Sequence, residues 1–241
     1  MIQTVGASWL MATIAPSADR VALVQTAGAL PFFFLSMIAG ALADLYDRRR
    51  LMLFSQWLML LASVALALIT LFGEITPEVL LLLTFLIGCG AASFAPAWQA
   101  SIADQVPRDQ IAPAVLVNAV GFNLARSVGP AIGGVIVAAA GAVAAFVINA
   151  VSYIGMLATL YWWRLPRVVN PLPPEPLVAA IAGGIRYVRL SPHLMAVMVR
   201  AVLFTVPISA VPALMPVVAR DRKSTRLNSS HRSLSRMPSS A

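Results

Sequence analysis

The chain has 241 residues, 60% of them hydrophobic and 11% charged, with a formal net charge of +8 and a mean hydropathy of +0.86. A soluble domain of this length needs a polar outside, which this sequence has no residues to build, so a bilayer is the solvent it fits. The charge is concentrated in residues 221–241, where Arg222, Lys223, Arg226, Arg232 and Arg236 stand against Asp221; the first 220 residues carry twelve basic and eight acidic side chains, a net of +4, so no nucleic-acid partner is expected.

Seven apolar runs follow one another. The first, residues 1–15, is too short for a hydrocarbon core of about 30 Å, which takes about 20 helical residues to cross. It lacks the basic start of a signal peptide and is expected to be a spanning helix whose beginning is absent. Runs 21–43, 51–73, 79–103, 111–140 and 142–163 are each long enough to span, with Arg126 the one charge inside them; the seventh covers 194–219, with Arg200 near its start. Strands of a membrane barrel alternate over about ten residues. These runs are continuous and rich in Leu, Ala, Val, Gly and Met, and they predict helices, hence an all-α polytopic membrane protein.

Arginine placement predicts the orientation. If the first run leads outward, Arg48, Arg49, Arg50, Arg108, Arg164, Arg167, Arg186 and Arg189 are cytoplasmic, and the opposite connections hold Arg20 alone, the last of them being the uncharged "AAGAVA". Between the sixth and seventh runs, "NPLPPEP" reads as a stiff extended linker. Beyond it Leu177, Ile181, Gly184, Ile185 and Val188 share one helical face with Arg186 and Arg189 off it, the pattern of a helix lying along the interface.

These boundaries divide the chain into a transmembrane bundle at 1–163 with its first helix incomplete, a cytoplasmic linker with an interfacial helix at 164–191, and a seventh helix at 192–220 that opens a second bundle. Residues 221–241 hold seven serines and the chain's single lysine. That segment resembles translated sequencing-adapter DNA and is expected to be a non-native tail, with the natural chain continuing past Arg220.

Cys89 is the only cysteine, so no intrachain disulfide and no cysteine-based metal site can form; it is expected to pack. No metal and no cofactor are expected. The chain has no "GxSxG", and its one histidine before residue 221, His193, stands beside Pro192 at the start of a run. A membrane enzyme therefore has no constellation to support it. A non-transporting structural or assembly protein is the other alternative, against which a mid-span cation and a charged turn both count.

Two stretches carry chemistry. The first is "GALADLYDRRR", residues 40–50, which sets two aspartates and three arginines between apolar runs. The second is "NLARSVGPAIGG", residues 123–134. There Pro130 cannot donate its backbone hydrogen bond and weakens the helix, while Gly129 and Gly133 form a GxxxG face suited to close packing. Arg126 lies about 20 Å into its run at 1.5 Å per residue, near the midplane, where a lone guanidinium needs a cavity or a partner. Asn123, one turn away, is a candidate to hold it. In the first stretch, the plainest roles are topology for Arg48–Arg50 and capping of the third helix by Asp44.

The first stretch resembles the signature of the major facilitator superfamily between its second and third helices, Gly-x-Leu-Ala-Asp-x-x-Gly-Arg-Arg, with Gly40, Leu42, Ala43, Asp44, Arg48 and Arg49 matching. Asp47 stands where the common pattern has glycine, as is frequent in the drug, macrolide and siderophore (enterobactin) exporter branch. The second stretch, Gly129-Pro130-x-x-Gly133-Gly134, resembles the core of the family's antiporter motif, without its wider glycine spacing. The resemblance implies a six-helix N-terminal bundle of 3+3 inverted repeats plus part of helix seven, and efflux of a small amphipathic compound by alternating access. It implies a cytoplasmic gate at Gly40, Asp44, Asp47, Arg48 and Arg49, whose aspartate meets a helix N-terminus of a C-terminal half absent here. It also implies a translocation path along Asn123, Arg126, Gly129, Pro130, Gly133 and Gly134. Trp9, Gln25 and Asn149 are candidate substrate contacts. The implied partners are a small-molecule substrate, the lipid bilayer of the bacterial inner membrane, and a coupling ion, with a proton expected. Thr84 stands where many proton antiporters of the family have arginine, and all eight acids before residue 221 lie in loops or at helix ends. A titrating carboxylate is therefore expected elsewhere.

Overall fold

The computed structural model describes residues 1–15, 17–163 and 177–204, and every regular element among them is helical. In chain order these are α1 (Ile2–Ile14), α2 (Ala18–Leu45), α3 (Arg48–Leu71), α4 (Pro77–Gln105), a short 3-10 turn (Arg108–Gln110), α5 (Ile111–Trp162) and α6 (Leu177–Leu190); a further helix runs over Pro192–Phe204. The proline-rich linker, residues 205–220 of the seventh run and the 221–241 segment lie outside the described residues. The chain divides into two units, Met1–Ile181 and Ala182–Ala241.

The helix starts are written in the sequence. The first N–H groups of a helix have no internal acceptor, and a short polar side chain just before them supplies one. Ser17 Oγ accepts from the Arg20 N–H at 3.4 Å at the start of α2, and Thr76 Oγ1 accepts from the Val79 N–H at 3.4 Å at the start of α4, where Pro77 takes the first helical position. Asp19 and Glu78 place a carboxylate in the first turn of each, the favourable end of the helix dipole. α3 is capped by Asp47, whose Oδ1 accepts from the Arg49 N–H at 2.9 Å and the Arg50 N–H at 3.3 Å. This corrects the expectation that Asp44 caps that helix: Asp44 lies inside the last turn of α2, on the far side of the turn.

α5 carries the main topological event. Its 52 residues would extend about 78 Å if straight, more than twice a hydrocarbon core. Yet both of its ends lie beside the same turn of chain. Arg48 reaches Ala100 and Asp104 near the end of α4, just before α5 begins, and Arg49 reaches Leu160 and Tyr161 at the end of α5. The run therefore doubles back, and the break is Gly141, at φ 77° and ψ 178°. Only glycine occupies that backbone region readily. Residues 111–140 form an outgoing arm, α5a, and residues 142–162 a returning arm, α5b. The sequence predicts two helices here joined by a loop at "AAGAVA"; the connection is one residue.

Close packing at small residues joins the helices, as expected where lipid removes any hydrophobic drive between them. A Cβ on Gly88 of α4 would lie 2.7 Å from the Gly28 carbonyl oxygen of α2, and one on Gly90 would lie 3.0 Å from the Ser55 carbonyl oxygen of α3. A Cβ on Gly6 of α1 would meet Ala145 at 3.1 Å and Phe146 at 3.2 Å on α5b. The main core gathers Met11, Val24, Leu66, Leu80 and Phe146, one from each of the five helices in this unit up to Trp162. A second cluster at the arginine side joins Ala43, Met52, Ala97 and Leu160.

Because nothing lies within 4 Å of where a Gly141 Cβ would stand, the effect of a substitution there isolates backbone conformation. Gly141→Ala is expected to destabilise the chain by about 1–3 kcal/mol in denaturant titrations in detergent followed by helical circular dichroism. Gly155→Ala, in α5b with equally open space and an ordinary φ, is expected to be neutral or slightly stabilising. Equal effects at the two positions would contradict a glycine-dependent hairpin.

Candidate functional site: an arginine turn and a mid-span cation

Asp47 sets the geometry of the turn. By capping α3 it fixes the first helical turn, from which Arg48 and Arg49 project toward neighbouring helix ends. Arg48 Nη1 donates to Asp104 Oδ2 at 2.6 Å and to the Ala100 carbonyl at 3.0 Å, and its Nε donates to the Ala43 carbonyl at 3.4 Å. Arg49 Nε donates to the Leu160 carbonyl at 2.8 Å and Nη2 to the Tyr161 carbonyl at 2.7 Å. The Ala43, Leu160 and Tyr161 carbonyls belong to the last turns of α2 and α5, the groups a helix cannot satisfy internally, and the Ala100 carbonyl lies one turn further in on α4. Each cation also stands at the negative end of a helix dipole. Arg48 and Asp104 are well shielded, with side chains 30% and 21% exposed.

The turn therefore ties α2, α3, α4 and α5b together within one bundle. Asp44 occupies the last turn of α2, the unfavourable end for a carboxylate, and its side chain lies outside the described residues. Gly40 lies one turn earlier with open space around it. Nearby, Trp57 Nε1 donates to the Tyr161 hydroxyl at 3.2 Å, and Trp98 stacks on Phe94 at 5.8 Å and meets Trp163 edge-on at 6.2 Å. Trp162 is 86% exposed, as an aromatic anchor at a membrane interface should be.

The second feature is α5a. A Cβ on Gly129 would lie 2.7 Å from Met1, and one on Gly133 would lie 3.1 Å from the Ile2 backbone and 3.3 Å from Val5. The two glycines are thus the seat of α1, whereas Pro130 is exposed and Gly134 has open space. From Gly129 outward α1 covers the arm; over residues 112–128 the side chains are largely uncovered. Arg126 stands on that stretch, two turns before Gly133 on the same face, with its guanidinium carbon 5.9 Å from the centre of the Phe122 ring, a cation–π contact. Among the described residues no carboxylate lies within salt-bridge distance of it. The sequence suggests Asn123 as its holder. The structure instead directs the Asn123 amide to the Ala119 carbonyl at 2.9 Å and the Ser127 hydroxyl to the Asn123 carbonyl at 3.0 Å. Pro130 lacks the N–H that would serve the Arg126 carbonyl, so backbone and side chain are both polar at this level.

The candidate substrate contacts separate. Trp9 is half exposed, and the exposed Gln25 donates to Ser8 Oγ at 3.3 Å. Asn149 is an interior group: its Nδ2 donates to Gln3 Oε1 and, at 3.4 Å, to Ser63 Oγ, and Ser63 donates to the Phe146 carbonyl at 3.2 Å. This chain of polar groups joins α1, α3 and α5b. Gln3, Ser63 and Asp104 were not singled out from sequence, and the available signal was simply a polar residue inside an apolar run or at its end.

A family model described as transmembrane secretion effector, of the major facilitator superfamily, matches residues 1–228. The staphyloferrin A transporter of Staphylococcus aureus is 30% identical over 175 residues, covering 72% of this chain and 44% of that protein. The multidrug efflux pump Tap of Mycolicibacterium fortuitum is 29% identical over 202 residues, covering 80% of this chain and 49% of that protein. An MFS-type transporter of Bacillus subtilis, YfiS, is 26% identical over 203 residues, covering 81% of this chain and 47% of its own length. The chain spans about half the length of the curated relatives it matches.

Arg48 and Asp104 should be energetically coupled. In a double-mutant cycle of Arg48→Ala and Asp104→Asn, unfolding in detergent is expected to give a coupling energy of about 1 kcal/mol or more. The Arg20–Glu78 pair at the opposite end, 3.9 Å apart and 50% and 76% exposed, is expected to show little or none, as exposed ion pairs do. Additive effects at Arg48 and Asp104 would show that the turn is no clamp.

Proposed function

The chain belongs to the transmembrane secretion effector family of the major facilitator superfamily and is a multi-pass membrane protein of the bacterial inner-membrane kind, and on that premise we propose that its helices form the first bundle of a secondary exporter. The cargo is a small amphipathic compound of the drug, macrolide or siderophore type, moved by alternating access against a second, C-terminal bundle. The names of the relatives, a staphyloferrin A transporter and a multidrug efflux pump, support the cargo class. The observation that carries the reading is Arg126, a cation about halfway along a spanning arm on a stretch that its own bundle leaves uncovered. A guanidinium at that depth is costly unless it faces a water-filled path or a partner, and exposure on this stretch gives it both options.

In this reading residues 112–128 of α5a line the path, with Arg126, Asn123 and the Ser127 hydroxyl as its polar groups. Gly129 and Gly133 hold α1 against the arm, and Pro130 permits the arm to bend. The arginine turn keeps the cytoplasmic end of the bundle rigid, and Asp44 remains the candidate contact to the second bundle. Ion coupling, with the proton as coupling ion, needs a titrating group. Asp19, Asp44, Asp47, Glu74, Glu78, Asp104 and Asp109 all lie at helix ends or in connections, so that group is assigned outside the described helices.

The test uses the complete two-bundle protein in cells depleted of other pumps, with a macrolide and an iron-free siderophore as probes. Arg126→Ala is expected to lower efflux at least tenfold at equal membrane level, and Arg126→Lys to retain part of it. Unchanged efflux in Arg126→Ala would remove this residue from the path. The 241-residue chain alone, reconstituted in vesicles, is expected to transport neither probe; robust efflux from it would overturn the two-bundle reading.

A further inference from the structure

The second unit holds a feature the transport reading does not use. α6 segregates its apolar and polar residues more sharply than α1 to α5, and one of its faces lines an open cavity of about 500 Å³. The lining residues are Ala182, Ile185, Arg186, Arg189 and Leu190. Positions 182, 185, 186 and 189 follow the i, i+3, i+4, i+7 spacing of a single helical face. Two guanidinium groups one turn apart thus share a hollow with three apolar side chains.

From residue 176 to 220 the sequence contains four arginines and no Asp or Glu, so this stretch supplies no carboxylate for them. Arginine presents a planar fork of donors that matches phosphate oxygens two at a time. The mixed lining narrows the choice of anion. Ile185 and Leu190, 45% and 70% exposed, are poor neighbours for a free hydrated ion and good ones for the glycerol and first methylenes behind a lipid phosphate. Tyr187, 69% exposed on the same helix, is the kind of side chain that settles at headgroup level.

The bend after α6 fits the same occupant. Ile181–Leu190 meets Pro192–Phe204 at 93°, and the second leg is apolar apart from His193 and Arg200. A right-angled joint is what links a helix lying in the plane of a membrane to one directed along its normal. With the second leg in the bilayer, the cavity lies at headgroup depth.

We propose that Arg186 and Arg189 form a binding site for the phosphate of an anionic phospholipid, phosphatidylglycerol in type, in the cytoplasmic leaflet. The site anchors α6 in the plane of that leaflet, and lipid charge rather than protein charge neutralises it.

The experiment is native mass spectrometry of the full 241-residue chain released from mixed micelles, with phosphatidylglycerol and phosphatidylcholine of identical acyl chains as probes. The chain is expected to retain phosphatidylglycerol at least tenfold better than phosphatidylcholine. Arg186→Ala/Arg189→Ala is expected to abolish that preference, and Arg186→Lys/Arg189→Lys, which keeps the charge and the helix but removes the fork, to reduce it severalfold. Arg20→Ala is expected to leave it unchanged. Inorganic phosphate at millimolar concentration is expected not to displace the lipid. Equal retention of the two lipids, an unaltered preference in the double alanine variant with helical circular dichroism intact, or displacement by inorganic phosphate, which would mark a free-anion site, would each overturn the proposal.

Discussion

The structure depends on how helix ends are satisfied at the edge of a bilayer. Each helix leaves carbonyl groups without donors in its last turn, and water is scarce where those turns are packed together. On the arginine side, two such ends, those of α2 and α5b, and the penultimate turn of α4 converge on one turn of chain, and two guanidinium groups supply donors: Arg48 to Ala43 and Ala100, Arg49 to Leu160 and Tyr161. A guanidinium suits the task because its N–H groups diverge in a plane and its charge cannot be removed. Lysine in either place gathers its three donors on one nitrogen and lacks the planar spread. The same residues that set topology by the positive-inside rule therefore hold the bundle together, and Asp47 makes this possible by capping the helix that carries them.

Much of the fold was legible in the sequence because the bilayer imposes one-dimensional rules. Span length and the side taken by arginines are local properties, and the five complete apolar runs appear as helices or helical arms. The cap of α3 is local too, yet it is expected at Asp44 from sequence and stands at Asp47 in the structure. What was not legible is long-range. Arg48 finds Asp104 across 56 positions, Arg49 finds Tyr161 across 112, and Gln3 meets Asn149 across 146. No spacing rule contains such pairs, because they depend on which helices become neighbours. At the outer connection, residues 139–144, the two runs already part at Gly141 in the sequence. The form of the join was not legible, because a loop is expected between two helices, whereas one glycine in a backbone region closed to other residues can reverse them.

The candidate site shows the same division. Gly129 and Gly133 were recognisable as a close-packing face, and α1 is the helix that sits there. Packing and bending share these residues, since Pro130 removes a hydrogen bond within the very segment that the two glycines hold against α1. Arg126 was recognisable by depth alone. Its surroundings were not, because the uncovered stretch at 112–128 results from where α1 lies along the arm. Asn149 was the least legible of the three substrate-contact candidates: an amide in an apolar run reads more readily as packing than as a contact, and its ties to Gln3 and Ser63 depend on which helices become neighbours.

The two ends of the bundle are held by different interactions, and that difference bears on how it can move. At the arginine end, shielded charge-assisted hydrogen bonds cross-link α2, α3, α4 and α5b. At the opposite end, the described ionic contact is the exposed Arg20–Glu78 pair, and the link from α5a to α5b is the single residue Gly141. Local opening follows the distribution of buried contacts and shielded hydrogen bonds. The end opposite the arginine turn also holds the main core of Met11, Val24, Leu66, Leu80 and Phe146, so motion within this bundle should concentrate in residues 112–128 of α5a, the stretch with the least covered side chains. A body tied by charge-assisted hydrogen bonds at one end and by apolar packing at the other can tilt as a unit, and the alternating access proposed for the complete protein asks for that.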